Sequence, residues 1–176
     1  MSVVSPQDRL AGAWSFSAAH SAVTFSVAYV VASFRASFDQ IAATLVDGKL
    51  SGAAKVASVD VKDENLAAHL LSAEFFDADN FPEIAFTSDE LKIDGDNVQL
   101  DGELTIKGIT KALRARGTVE GPTEDFMSNT RLGFTLTAMI DRTAYGISWN
   151  ANLPMGGRAL SDDVELTAEL EFIRAA

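Results

Sequence analysis

Along most of the chain apolar and polar residues alternate, the signature of β-strands with one face in a core and the other in water. Over 22–30, Val23, Phe25, Val27 and Tyr29 fall on one face, and Thr24, Ser26 and Ala28 on the other. Over 98–107, Val98, Leu100, Leu104 and Ile106 oppose Gln99, Asp101, Glu103, Thr105 and Lys107. The same rhythm groups Leu132, Phe134, Leu136, Ala138 and Ile140 in 132–140, and Val164, Leu166, Ala168, Leu170 and Phe172 in 164–173. Less regular strands are predicted at 34–47, 49–61, 84–93 and 112–120. Turn chemistry separates them: "DGK" at 47–49, "DGDN" at 94–97, "KGIT" at 107–110 and "EGPTED" at 120–125. Gly accepts the positive φ that such reversals need. About eight or nine short strands joined by turns predict an all-β, antiparallel barrel or sandwich.

Helical spacing breaks the alternation at 63–72, "DENLAAHLLS", where Asp63 or Asn65 can cap the start. A second short helix or turn is predicted at 142–149. The first helix runs into "SAEFFDADNFPEIAF", residues 72–86, which holds Phe75, Phe76, Phe81 and Phe86 among acidic and turn-forming residues. Pro82 restricts Phe81 to an extended backbone. This stretch therefore reads as a solvated turn whose rings close one end of a core.

A chain of 176 residues suggests a single domain, here an N-terminal extension over 1–13 and a barrel domain over 14–176. The net charge of −11 makes nucleic acid and anionic membrane surfaces poor partners, because both are bound through Lys and Arg. There is no cysteine, which removes disulfides, thiolate catalysis and Cys-ligated zinc. The N-terminus lacks the basic stretch and apolar run of a secretory signal, so a cytoplasmic location is expected. No uncharged apolar run approaches the ~20 residues of a membrane span, and no membrane insertion is expected.

Candidate chemistry is sparse. His20 and His69 are the only histidines and lack a near neighbour with metal-ligand spacing. Ser21 adjoins His20, but adjacent strand residues point to opposite faces, which rules out a nucleophile–base pair in regular geometry. "DADN" at 77–80 lacks the Gly and terminal Glu of a calcium loop. No metal, cofactor or catalytic group is therefore expected. Lys107, Lys111, Arg114 and Arg116 form a basic cluster, either the exposed face of a hairpin or a cationic rim for an anionic head group. The remaining asset is apolar volume: a barrel of about eight strands is just wide enough to hold one small ligand.

Four ordered segments are similar to the YceI-like family, the lipocalin-like polyisoprenoid-binding proteins. They are "WSFSAAHSAVTFSVAYVVAS" (14–33), "AAHLLSAEFFDADNFPEIAFTS" (67–88), "LDGELTIKGITKAL" (100–113) and "RLGFTLTAMIDRTAYGISWN" (131–150). The resemblance implies an antiparallel, lipocalin-like up-and-down barrel of about eight strands with one or two short helices. It implies a lumen that binds a long-chain isoprenoid or similar amphiphilic lipid, in a carrier, storage or stress-related role, and no enzymatic activity. It is compatible with a homodimer. On this reading Phe25, Val27, Tyr29, Phe86, Leu100, Leu104, Phe134 and Leu136 line the lumen. Phe75, Phe76 and Phe81 close one end, and Trp14, His20 and Trp149 complete the candidate ligand-binding set. Two alternatives stand beside it: an enzyme on a small amphiphile with His20 as acid or base, and a filled barrel that serves as a protein-interaction module.

Overall fold

In the computed structural model, which describes residues 6–174, eight antiparallel strands close into a barrel. The strands are β1 (Ala13–Phe16), β2 (Ala22–Tyr29), β3 (Ala32–Phe38), β4 (Ile41–Val46), β5 (Lys49–Lys55), β6 (Val59–Asp60), β7 (Glu83–Asp94), β8 (Asn97–Ile106), β9 (Ile109–Glu124), β10 (Thr130–Asp141) and β11 (Leu160–Arg174). The α-helix, α1, spans Glu64–Leu71. The ring runs β1-β4-β5-β7-β8-β9-β10-β11 and returns to β1. Strand β11 does double duty. Its C-terminal residues pair with β1 (Phe16↔Phe172), and its N-terminal part pairs with β2 (Phe25↔Leu166). Strands β1 and β2 thus follow one another along a single edge of β11, and β2, β3 and β6 extend the wall beyond the ring.

Local sequence explains most element ends. Asp47-Gly48 and Lys107-Gly108 each place two successive residues at positive φ, the two-residue turn that matches the twist of a hairpin. Three expectations need correction. The strand expected at 49–61 is β5 and β6, parted by a 3-10 turn at Val56–Ser58. The strand expected at 34–47 is two strands, broken at Asp39 and Gln40. The turn expected at 120–125 is strand: β9 continues to Glu124 through an irregularity in its register with β10, and the reversal falls at 125–129. An unpaired residue at such a bulge accommodates Pro122, which has no N–H to give. Gly117 faces inward, and a Cβ there would overlap the Thr135 carbonyl of β10, so the close approach of these strands requires Gly.

The interior divides into two levels. At the base, Leu10, Leu45, Leu132, Val119 and Phe172 are fully buried and pack around Trp14 and Phe134. Each such side chain contributes roughly 1.5–3 kcal/mol through burial. Arg9 ties the N-terminal segment across the base, donating to the carbonyls of Gly95 and Gly121 and pairing with Asp96. At the top, α1 and the loops 61–82 and 142–159 roof the barrel over a second cluster containing Phe25, Phe38, Phe75, Phe76 and Ile147. Among the described residues, no helix is long and apolar enough to cross a membrane.

Candidate functional site: an apolar cavity under a helical lid

The roof begins with a strong helix start. The Asp63 carboxylate accepts from the backbone N–H of Asn65 at 2.8 Å and of Leu66 at 3.1 Å, satisfying two donors that the first turn leaves orphaned. After Leu71 the chain folds back on the helix. The N–H of Phe76 donates to the Leu70 carbonyl and that of Ala78 to the Leu71 carbonyl. These bonds direct Phe75 and Phe76 downward, where both are buried. Phe76 meets Phe25 and Phe38 edge-on, at 6.1 and 5.9 Å. Phe75 lies 4.7 Å from the His69 ring and 5.5 Å from Trp149, and His69 and Trp149 are 4.9 Å apart. Two ring clusters therefore close the top. The Lys107 ammonium holds the roof down, donating to the Ala73 carbonyl at 2.7 Å and to the Gly146 carbonyl at 3.4 Å.

Beneath the rings lies a cavity of about 450 Å³. It exists because inward positions at this level are small: Ala43, Gly52, Ala54, Ala115, Ala138 and Ala168 all line it. Its size lies within the range of roughly 300–1,000 Å³ typical of small-molecule sites. Among the described residues, polar side chains in the lining are limited to Ser51, Thr137, Thr167, His69 and Arg142, besides the amphipathic Tyr29 and Trp149.

Arg142 is the buried charge of the molecule's described core, 4% exposed. Its Nε donates to the Ser161 carbonyl, and its Nη1 donates to the carbonyls of Ile147 and Trp149, all at 2.8 Å. Its Nη2 reaches the Leu160 carbonyl at 3.4 Å and the Asp162 carboxylate at 3.6 Å. Burial lowers its pKa from the usual arginine value, partly offset by Asp162. The guanidinium thus pins the 142–160 loop by giving donors to carbonyls of its returning backbone. His69 bonds through Nε2 to the Glu74 carboxylate at 3.0 Å.

Of the residues nominated from sequence, Phe25, Val27, Tyr29, Phe75, Phe76, Phe86, Leu100, Leu104, Leu136 and Trp149 line this cavity. Four lie elsewhere. Trp14 packs in the base beneath the Arg174 guanidinium, 4.8 Å from its ring. Phe134 fills the base against Phe172, ring centroids 6.1 Å apart. Phe81 covers the 107–108 turn, where a Cβ on Gly108 would come within 2.7 Å of its ring. His20 stands outside the wall with its side chain 63% exposed, its Nδ1 3.1 Å from Glu171. This position leaves it outside the cavity lining. The basic cluster does not line the cavity either: Lys107 is a strut, and Arg114 pairs with Asp101 at 2.7 Å. The structure adds Phe34, Phe38, Leu66, His69, Leu70 and Arg142. Strand alternation already pointed to Phe34 and Phe38, and the helical face of α1 to Leu66, His69 and Leu70. The burial of Arg142 depends on how the irregular segment that follows it folds back over its guanidinium, which no periodic pattern announces.

The YceI-like domain model matches residues 14–172. A UPF0312 protein of Staphylococcus aureus (strain USA300) is 30% identical over 169 residues, covering 90% of this chain and 96% of that one. Burkholderia cenocepacia BcnA superposes with a TM-score of 0.76 at 20% identity, covering 89% of this chain and 98% of that one. A polyisoprenoid binding domain from Saccharophagus degradans, implicated in plant cell wall breakdown, gives 0.72 at 13% identity, covering 92% and 98%. With a sequence match across nearly its whole length and the same closed barrel, this chain belongs to the YceI-like family.

Proposed function

We propose that the protein binds an isoprenoid or similar long-chain lipid in the lumen, as a carrier or store rather than a catalyst. The observation that carries this reading is the cavity itself: about 450 Å³ of apolar space, roofed by α1 and walled by small side chains. Each CH₂ transferred into it from water is worth about 0.8 kcal/mol, so a few isoprene units offset the cost of ordering the chain. The description of the Saccharophagus neighbour as a polyisoprenoid binding domain supports the same ligand class.

The polar groups refine the class. Each guanidinium nitrogen of Arg142 already has an acceptor, so Arg142 offers little to a phosphate. His69 is the other basic side chain in the described lining, and Glu74 holds it. An uncharged head, such as an alcohol or a quinone, fits better than a diphosphate, whose desolvation would go uncompensated. The test is native mass spectrometry of purified protein with solvent extraction, then titration with farnesol, a longer prenol and farnesyl diphosphate. Co-purified lipid, or uptake of the prenols with weaker diphosphate binding, is the expected result. Protein that is empty and takes up no prenyl chain would refute the reading.

A further inference from the structure

We propose that the roofed end of the barrel docks on an uncharged lipid bilayer surface through two adjacent hairpins, with their tips at Tyr29–Val31 and at Met155. The idea builds on the lipid-binding reading, since a cargo of that class is drawn from an apolar phase. Val31 is 97% exposed and Met155 100%, with Val30 and Tyr29 about half exposed beside them. The tips are neighbours: the Val30 N–H donates to the Ala159 carbonyl at 2.8 Å, and Tyr29 pairs with Leu160. Residues 28–34 and 151–157 carry no charge at all, in a chain of net charge −11.

Two further observations favour a bilayer. Val30 holds a positive φ of 52°, where a turn that merely reverses the chain uses Gly or Asn. Apolar bulk is kept at this tip against the local backbone preference. Tyr29 also lines the cavity while half exposed, so one side chain links the lumen to the tip. Side chains standing on two narrow turns suit shallow burial among lipid head groups rather than a flat protein interface. The mode differs from a membrane span. It is also not electrostatic: a net charge of −11 disfavours anionic lipid.

The opposite end supplies an internal control. Phe126, 97% exposed, and Met127, 68% exposed, tip the β9–β10 hairpin, but Glu120, Glu124 and Asp125 flank them. The absence of native cysteine allows single-site labelling. Met155→Cys and Phe126→Cys would each be labelled with NBD and mixed with phosphatidylcholine vesicles, with and without nitroxide-bearing lipid. The label at 155 should shift to the blue and be quenched, and the label at 126 should do neither. Val31→Asp, at a site too exposed to matter for folding, should lower vesicle partitioning about tenfold. Added phosphatidylglycerol should weaken docking, and salt should relieve that effect. No response at 155, an equal response at 126, or a neutral Val31→Asp would overturn the proposal. So would a concentration-dependent dimer that Val31→Asp dissolves, which would assign the patch to a second copy. These readouts need no cargo, so failed prenol uptake with a responsive label at 155 counts against the lumen reading alone.

Discussion

The base and the top of this barrel share strands but differ in what those strands carry inward. On β11, Phe172 faces in at the base and is fully buried, while Ala168, four residues earlier on the same face, borders the cavity. On β10, Phe134 and Ala138 repeat the contrast. Alternation settles only which residues face inward; their volumes settle whether the space is filled. The difference also divides labour. A close-packed base carries much of the stability, and that lets the top keep a void whose lining forgoes contacts.

The sharpest way to break this comparison is to exchange the two behaviours. Phe172→Ala should cost about 3–5 kcal/mol, the range for large aromatic truncation in a packed core. Ala168→Leu should change stability by no more than about 1 kcal/mol, because the added methylenes enter empty space rather than a packed core. It should nonetheless abolish prenol uptake. Denaturant midpoints and ligand titration read the two effects. A costly Ala168→Leu would mean that the top is packed after all.

Arg142 should rank next. Arg142→Met strips donors from the carbonyls of Ile147, Trp149 and Ser161, while Leu160 keeps its bond from the Asn150 amide, and unsatisfied buried groups cost about 1–3 kcal/mol each before relaxation. A net loss of about 3 kcal/mol is expected, with faster hydrogen exchange concentrated in 147–160. Arg142→Lys should recover little, since a single ammonium does not reproduce the planar fork. Full rescue by Lys would reduce the role of Arg142 to its charge.

A smaller effect should follow at the lid. Trp149→Ala removes one ring from the His69–Phe75–Trp149 cluster, a loss of about 1 kcal/mol per aromatic pair. Ligand dissociation should quicken by roughly tenfold, seen by stopped-flow displacement, and the denaturant midpoint should fall by the equivalent of about 2 kcal/mol for the two pairs. An unchanged dissociation rate would place the exit route away from this cluster.

The sequence carried the barrel but not its hollowness. Inward faces were legible because burial on one side imposes a period of two. The break between β3 and β4 was missed although a parity switch marks it: Phe34, Ala36 and Phe38 face in at even positions, Ile41, Ala43 and Leu45 at odd ones. The Gly121-Pro122 pair misled, because a bulge and a turn recruit the same residues. Trp14 and Phe134 look like lumen aromatics in sequence, yet their level along the axis depends on pairing register. The small residues around the cavity were visible as well. Only the closed topology, which sets Gly52 opposite Ala43 and Phe86, gathers them into one space.

The gentlest contrast between the ends is in their response to pH. At the base, Asp125 caps the β9–β10 turn and bonds to Arg131 at 2.6 Å, and Arg131 also reaches Glu171 at 2.5 Å. The Arg131 bond, with the N–H groups of Asn129 and Met127, lowers the Asp125 carboxyl to about 2. A depressed carboxylate contributes stability that is present above its ordinary pKa of 3.8 and lost as pH falls toward about 2. The top shares this acid sensitivity through Asp141, whose carboxyl is lowered by the Thr143 hydroxyl and N–H. Alkali, by contrast, strikes the top, where burial raises the Tyr145 hydroxyl above its usual value of 10.0. Its neutral form is favoured in the fold, so that stability is intact below pH 10 and declines as the unfolded chain begins to ionise there. Region-resolved hydrogen exchange should therefore show 125–131 loosening in acid, with Asp125→Asn flattening that response. Between pH 9 and 11, 142–149 should loosen before the base does, with Tyr145→Phe flattening the trend, a window set by the usual tyrosine value of about 10. A base that opened first in alkali would contradict the assignment of the packed, stable core to that end.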